Sequence, residues 1–265
     1  MENELDLRLK SELESFANLW KGGYYEGDPL NPLAGSSYRQ LGFISVLHAT
    51  YLRCIKPYIN NQTVALEIGA GAGAWTKSLL PAREVFALDA LPDHHNGLMA
   101  RLGQPANVKY FQVTDFKCAM IPDNHVDYMF SFGCFCHVSF AGITEYAVNL
   151  HPKLKPGSNC FWMIADYDKY NAAVANLSIW NTLRNAIPGG RRNLPLRWLI
   201  TWLRKKHERV YLQNKDENNE IADGGRWYHS GIDRTCGMLT SCGYEIVDPD
   251  VGTCLRDPIV HFCKR

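Results

Sequence analysis

The sequence predicts an α/β protein. Its core is a doubly wound, mostly parallel sheet of seven strands with an antiparallel last strand, joined by an N-terminal helical lid and an inserted helical cap. Three observations predict this. Five short apolar runs between 64 and 165 alternate with helix-like stretches, the rhythm of buried parallel strands joined by crossovers. The first run empties into a glycine corner, Glu67-Ile68-Gly69-Ala70-Gly71-Ala72-Gly73-Ala74. Two later runs, YEIVD and IVHFCK, lie too close together for a helical crossover, so they should pair antiparallel.

Composition fits a packed protein. Of 265 residues, 46% are hydrophobic and 21% charged, enough to bury a core. A net charge of +1 gives no global attraction to nucleic acid. The opening MENELDLRLKSELESF is acidic and amphipathic, unlike a secretory signal. Nowhere do apolar residues run together long enough to span a membrane. The nine cysteines are scattered and odd in number, which reads as reduced thiols of a cytoplasmic protein.

Residues 1–59 form the expected lid. Leu9, Leu13, Phe16 and Trp20 share one helical face, and Gly22 and Gly23 stop that helix. A turn-rich loop from Tyr24 to Ser37 follows. Leu41, Ile44, His48, Tyr51 and Ile55 then mark a second helix, ending near Pro57. The core takes residues 60–166 and 232–265, with strands VALEI (64–68), VFALD (85–89), VKYFQV (108–113), VDYMFSF (126–132), NCFWMIA (159–165), YEIVD (244–248) and IVHFCK (259–264). Residues 167–231 break the rhythm and read as the cap on the substrate side. Within it, Asn193-Leu194-Pro195 starts a helix carrying Leu196, Leu199, Ile200 and Leu203, widened by Trp198 and Trp202. Arg191, Arg192, Arg204, Lys205, Lys206 and Arg209 flank it. This is either a basic aromatic surface for an anionic acceptor or a packed helix with a solvated tail.

The glycine corner admits two ligands. Gly69, Gly71 and Ala74 satisfy a dinucleotide pattern, and Asp89 follows at the distance of a ribose-binding acid. The helix expected after the corner would offer free N–H groups. Three features favour a cationic sulfur cofactor instead. Glu67 stands just before the first glycine, where it would repel a pyrophosphate and suit an ammonium. Asp115 ends the third strand, where it can accept from an adenine amino group while Phe116 covers the ring. The closing antiparallel hairpin is unusual in dinucleotide folds.

The stretches VALEIGAGAGAWTKSLL, VFALDA, VTDF, DNHVDYMFSFGCFCHVS and LKPGS resemble, in order and spacing, the motifs of class I S-adenosylmethionine (SAM)-dependent methyltransferases. The style is similar to bacterial enzymes acting on small molecules and sugars. The resemblance implies SAM as cofactor and S-adenosylhomocysteine (SAH) as product. It implies that Glu67, Gly69, Ala70 and Gly71 hold the methionine part, Asp89 the ribose, Ala90 or Leu91 the adenine face, and Asp115 and Phe116 the adenine edge. Ser131 and Phe132 would line the methionine end. Related enzymes close an N-terminal segment over the cofactor, which implies a contact from Tyr25 or Tyr24 to the sulfonium.

An acceptor hydroxyl needs a nearby base. His137 follows the fourth strand and is either that base or a side chain packed on the glycine corner. Asp166 ends the fifth strand and is a base, a metal ligand or a helix cap. His229 lies beside Trp227 and Tyr228, which suit a sugar or ring but also suit ordinary packing. Cys134, Cys136 and His137 have the composition of a metal triplet, but their tight spacing without a second pair argues against zinc, and no metal is expected. The expectation is methyl transfer to a small-molecule acceptor, a sugar hydroxyl or an anionic glycoconjugate, with no nucleic acid as partner. The alternatives are N-methylation of a small amine and a nucleotide-dependent oxidoreductase. The fourth strand ends in SFGC, without the Asn/Asp-Pro-Pro-Tyr/Phe signature of base-amino methylation.

Overall fold

The computed structural model describes residues 4–33, 45–177, 198–199, 202–203 and 227–265. Seven strands form one sheet: β1 (Val64–Ile68), β2 (Glu84–Asp89), β3 (Val108–Gln112), β4 (Val126–Ser131), β5 (Leu154–Met163), β6 (Tyr244–Asp248) and β7 (Ile259–Lys264). Their order is β3-β2-β1-β4-β5-β7-β6. The first five are parallel, and β7 runs antiparallel between β5 and β6. β1 is buried at all five positions because helices cover both faces of the central sheet.

Side chains alternate between the two faces. Leu66, Ile68, Phe86, Leu88, Met129 and Trp162 point to one side. There they meet α1 (Glu4–Leu19), α6 (Phe140–Leu150) and α8 (Ile232–Ser241). Ala65, Val85, Ala87, Tyr128, Phe130 and Phe161 point to the other, against Cys54, Ile55, Leu79 and Leu98. These come from the turn after α2 (Val46–Thr50), from α3 (Thr76–Leu79) and from α5 (Leu98–Leu102), which follows α4 (Asp93–Asn96). Strand order reverses at the β1–β4 pair, and in such sheets a crevice opens beyond the carboxyl ends of those strands.

α1 is fastened to this frame. Leu9 and Leu13 are buried, and between them Glu12 accepts from the Ser139 N–H and hydroxyl, both at 2.6 Å. Ser139 in turn caps α6 by accepting from the Gly142 N–H.

Several sequence expectations need correction. β5 starts at Leu154, not near 159, because the chain passes Pro156 and a left-handed Gly157 through an irregular register with β4. The helix after the glycine corner, α3, has only four residues, so the corner's own N–H groups, not a long helix, are the donors there. The second lid helix stops at Thr50 and continues as a π turn over Tyr51–Ile55. α7 (Tyr167–Leu177) opens the expected cap. Trp198, Leu199 and Trp202 are exposed, not packed on the core. Leu41, Ile44, Asn193, Leu194, Pro195, Leu196, Ile200 and the basic residues Arg191, Arg192, Arg204, Lys205, Lys206 and Arg209 lie outside the described residues. Among the described residues no helix is long and apolar enough to cross a membrane.

The Tyr244 hydroxyl, fully buried, donates to the Ala147 carbonyl at 2.8 Å and ties β6 to α6. Tyr244→Phe should lower stability by about 1–2 kcal/mol, read as a lower urea midpoint at unchanged slope. An unchanged midpoint would show that the tie contributes nothing.

Candidate functional site

The crevice is built on the corner after β1. Gly69 has φ +77°, and a Cβ there would sit 2.4 Å from the Cβ of Cys134, which follows β4. Gly71 has φ +49°, and a Cβ there would lie 3.0 Å from the Tyr24 carbonyl. Only glycine lets the β4 loop on one side and the N-terminal segment on the other approach this closely. The Ala72 N–H donates to the same Tyr24 carbonyl at 3.0 Å. Asp89, at the end of β2, joins the neighbouring turns. One of its oxygens accepts from the Gly71 N–H at 2.8 Å, the other from the Leu91 N–H at 2.9 Å.

These elements enclose a cleft of about 990 Å³, counted out to its open mouth. Gly69, Ala70 and Gly71 form one wall, and Asp89, Ala90, Leu91 and Asn96 a second. Phe132, Gly133, Cys134 and His137 form a third. The N-terminal segment closes the cleft with Glu12, Phe16, Trp20, Tyr24 and Glu26. Its charge is one-sided. Glu12, Glu26 and Asp89 line it, with no Lys or Arg among the described lining residues. Burial pushes the Glu26 carboxyl up to about 7. Burial also raises Asp89, against the lowering effect of the Leu91 and Gly71 N–H groups. A cleft of this kind attracts a cation and repels a pyrophosphate.

Residues 65–157 match the family model described as a methyltransferase domain. That segment is thus a methyltransferase domain, consistent with the class I SAM-dependent enzymes. Solved structures that share the fold of this chain include two SAM-dependent methyltransferases. The SAM-dependent methyltransferase from Mesorhizobium loti is 15% identical, with 83% of this chain and 98% of that chain covered and a TM-score of 0.52. The SAM-dependent methyltransferase from Methanosarcina mazei is 12% identical, with 78% and 95% covered and a TM-score of 0.51. No curated protein matches the chain.

The structure brings together much, but not all, of what the sequence proposed. Gly69, Ala70, Gly71, Asp89, Ala90, Leu91, Phe132 and His137 all border the cleft. Glu67 lies beneath it, fully buried, and its carboxyl accepts from the Thr76 hydroxyl at 2.6 Å. It braces the corner from below. Ser131 is also buried, donating to the Ile68 carbonyl at 3.0 Å. Asp115 lies apart, in a second recess with Asp6, Lys10 and Lys117, and accepts from the Lys117 N–H. Phe116 packs on Tyr146 in the core, their ring centres 4.8 Å apart. Tyr25 turns away from the cleft, with the Arg101 guanidinium 4.8 Å from its ring centre; Tyr24 takes the lining position.

Two of the three expected bases have other work. Asp166 accepts from the Lys169 N–H with one oxygen and the Ile232 N–H with the other, capping α7 and α8 together. His229 accepts through Nδ1 from the Tyr167 N–H at 3.0 Å and stands outside the residues lining the cleft. His137 borders the cleft, its ring 5.5 Å from Trp20 and 6.4 Å from Phe16. Sequence reasoning missed Glu12, Glu26 and Asn96. Glu26 carried one signal, an acid inside the glycine-rich GGYYEGDP, but nothing there tied it to the core.

Burial pushes the Glu67 carboxyl up to about 8, opposed by the Thr76 hydroxyl and reinforced by Glu26 and Asp89. Unfolded, Glu26 and Glu67 ionise near 4.5; folded, they keep their protons to about 7 and about 8. The native state therefore binds more protons across this window, and stability falls as pH rises from 4.5 to about 8. The cofactor-free protein should melt several degrees lower at the alkaline end, and Glu67→Gln should flatten that slope. A melting temperature that rises with pH over this window would contradict the assignment.

Proposed function

We propose that the chain transfers the methyl group of SAM to a small-molecule acceptor, preferably a hydroxyl of a sugar or similar metabolite. The observation that carries the cofactor half is the cleft itself: three carboxyl side chains and no described Lys or Arg around a glycine corner. In this reading Asp89 takes the ribose hydroxyls. It already accepts from the Gly71 and Leu91 N–H groups and from the Asn96 side chain, and a carboxylate can accept about four hydrogen bonds in all. Ala90 and Leu91 cover the adenine face. Gly69, Ala70 and Gly71, with Phe132 and Gly133 opposite, hold the methionine part. SAM, when bound, supplies a methyl carbon that a lone pair attacks in line.

The residues of this chain then have three tasks: to orient the acceptor, keep water out and remove the hydroxyl proton. His137 borders the cleft beside Trp20 and Phe16, and we assign it the proton. The aromatic side chains that line the cleft with His137 (Phe16, Trp20, Tyr24 and Phe132) support a ring-shaped acceptor. The nine cysteines, none of them in a disulfide, support a reducing, cytoplasmic setting.

SAM and SAH should each raise the melting temperature, and NAD should not. Stabilisation by NAD alone would return the oxidoreductase reading. SAH formation across a panel of sugars, phenols and amines should favour hydroxyl acceptors. With the best acceptor, His137→Ala should lower kcat by about 10² to 10⁴ while SAM affinity stays within about threefold. Full turnover in that variant would remove His137 as the base.

A further inference from the structure

The methyl donor and its product differ by one methyl group and one positive charge at sulfur. Their ammonium, carboxylate, ribose and adenine are common to both. An anion placed where it meets the sulfur charge would make the cleft prefer the donor. Four acids stand in or under this cleft, and three are already engaged. Glu12 accepts twice from Ser139. Asp89 accepts from the Gly71 and Leu91 N–H groups. Glu67, below the corner, accepts from Thr76.

Glu26 is the fourth. It lines the cleft, and its carboxyl takes a hydrogen bond from its own backbone N–H, while among the described residues no side chain of another residue donates to it. Its carboxylate oxygen lies so close to Gly133 that a Cβ there would come within 3.2 Å. Gly133 follows β4, at the end of the cleft opposite Asp89's strand, β2, across β1. The neighbours that feel Glu26 are Tyr24 on its own segment, Glu67 at the end of β1 and Cys136 after β4. None of these is a cation. Arg256, which also acts on Tyr24 and Cys136, is bound to Asp257 at 2.5 Å.

We propose that Glu26, delivered by the N-terminal segment, is the residue with which this cleft distinguishes the charged methyl donor from its neutral-sulfur product. It is a specificity residue and takes no proton from the acceptor. Its carboxyl, pushed up by burial to about 7, is part-protonated in the cofactor-free cleft near neutral pH. A bound positive charge favours the ionised form and expels that proton. SAH, lacking the sulfur charge, expels less. After transfer the attraction lapses, which favours product release and loosens the segment that carries Glu26.

The inference rests on SAM being the cofactor, and titration calorimetry keeps the two apart. If wild-type protein binds neither SAM nor SAH, the cofactor reading fails and the inference with it. If it binds both, the Kd values for SAM and SAH are compared in wild-type and Glu26→Gln protein at pH 8, where Glu26 is ionised. Glu26→Gln should weaken SAM about tenfold or more and SAH by less than about threefold. Equal weakening of both ligands, or no change in SAM affinity, overturns the proposal. A second reading needs no variant. In buffers of different ionisation enthalpy at pH 7, wild-type protein should release more protons on binding SAM than SAH, and equal release also overturns the proposal.

Discussion

The Asp89 carboxylate holds the site together. Its two oxygens take the N–H of Gly71 and the N–H of Leu91, and so lock the corner after β1 to the turn after β2. The glycines make that corner thin enough for two other chain segments to lie against it: the Cys134 turn at Gly69 and the Tyr24 backbone at Gly71. Four stretches far apart in sequence thereby meet at one place, the switch point where strand order reverses. The cleft follows from this joint. Without it the N-terminal segment would have no backbone partner at its cofactor end, although Glu12 would still fasten α1 to Ser139.

Electrostatics turns the joint into a binding site. Carboxyls gathered in a partly closed space cannot all ionise cheaply, which is why burial lifts Glu26 and Glu67 and raises Glu12 and Asp89 as well. The empty protein answers by holding protons. A ligand that brings fixed positive charge relieves this cost, so the destabilising feature of the free protein becomes an attraction for the cofactor.

The sheet was legible in the sequence because its signals are local. VALEI and VFALD are continuous apolar runs, and the short gap before IVHFCK forbids a crossover. β5 was legible only in part, since Pro156-Gly157 reads as a break while neighbouring strands carry the ladder through it. Site residues inside the corner motif were legible for the same reason. Those decided by long-range partners were not. Asp166 looks like a strand-end acid until Ile232, 66 residues on, supplies its second N–H. Asp115 occupies the expected strand end, yet its side chain bonds its own turn and lines a separate recess. Glu26 belongs to no strand or helix at all, and only the fold carries it to Gly133.

The central claim is that this acidic corner receives SAM with its ribose on Asp89 and its sulfur toward Gly133. A crystal structure of the protein soaked with SAH tests it most directly. The account predicts both ribose hydroxyls within hydrogen-bonding distance of the Asp89 carboxylate. Density for the ligand in the Asp115 recess, or a ribose turned away from Asp89, would contradict it.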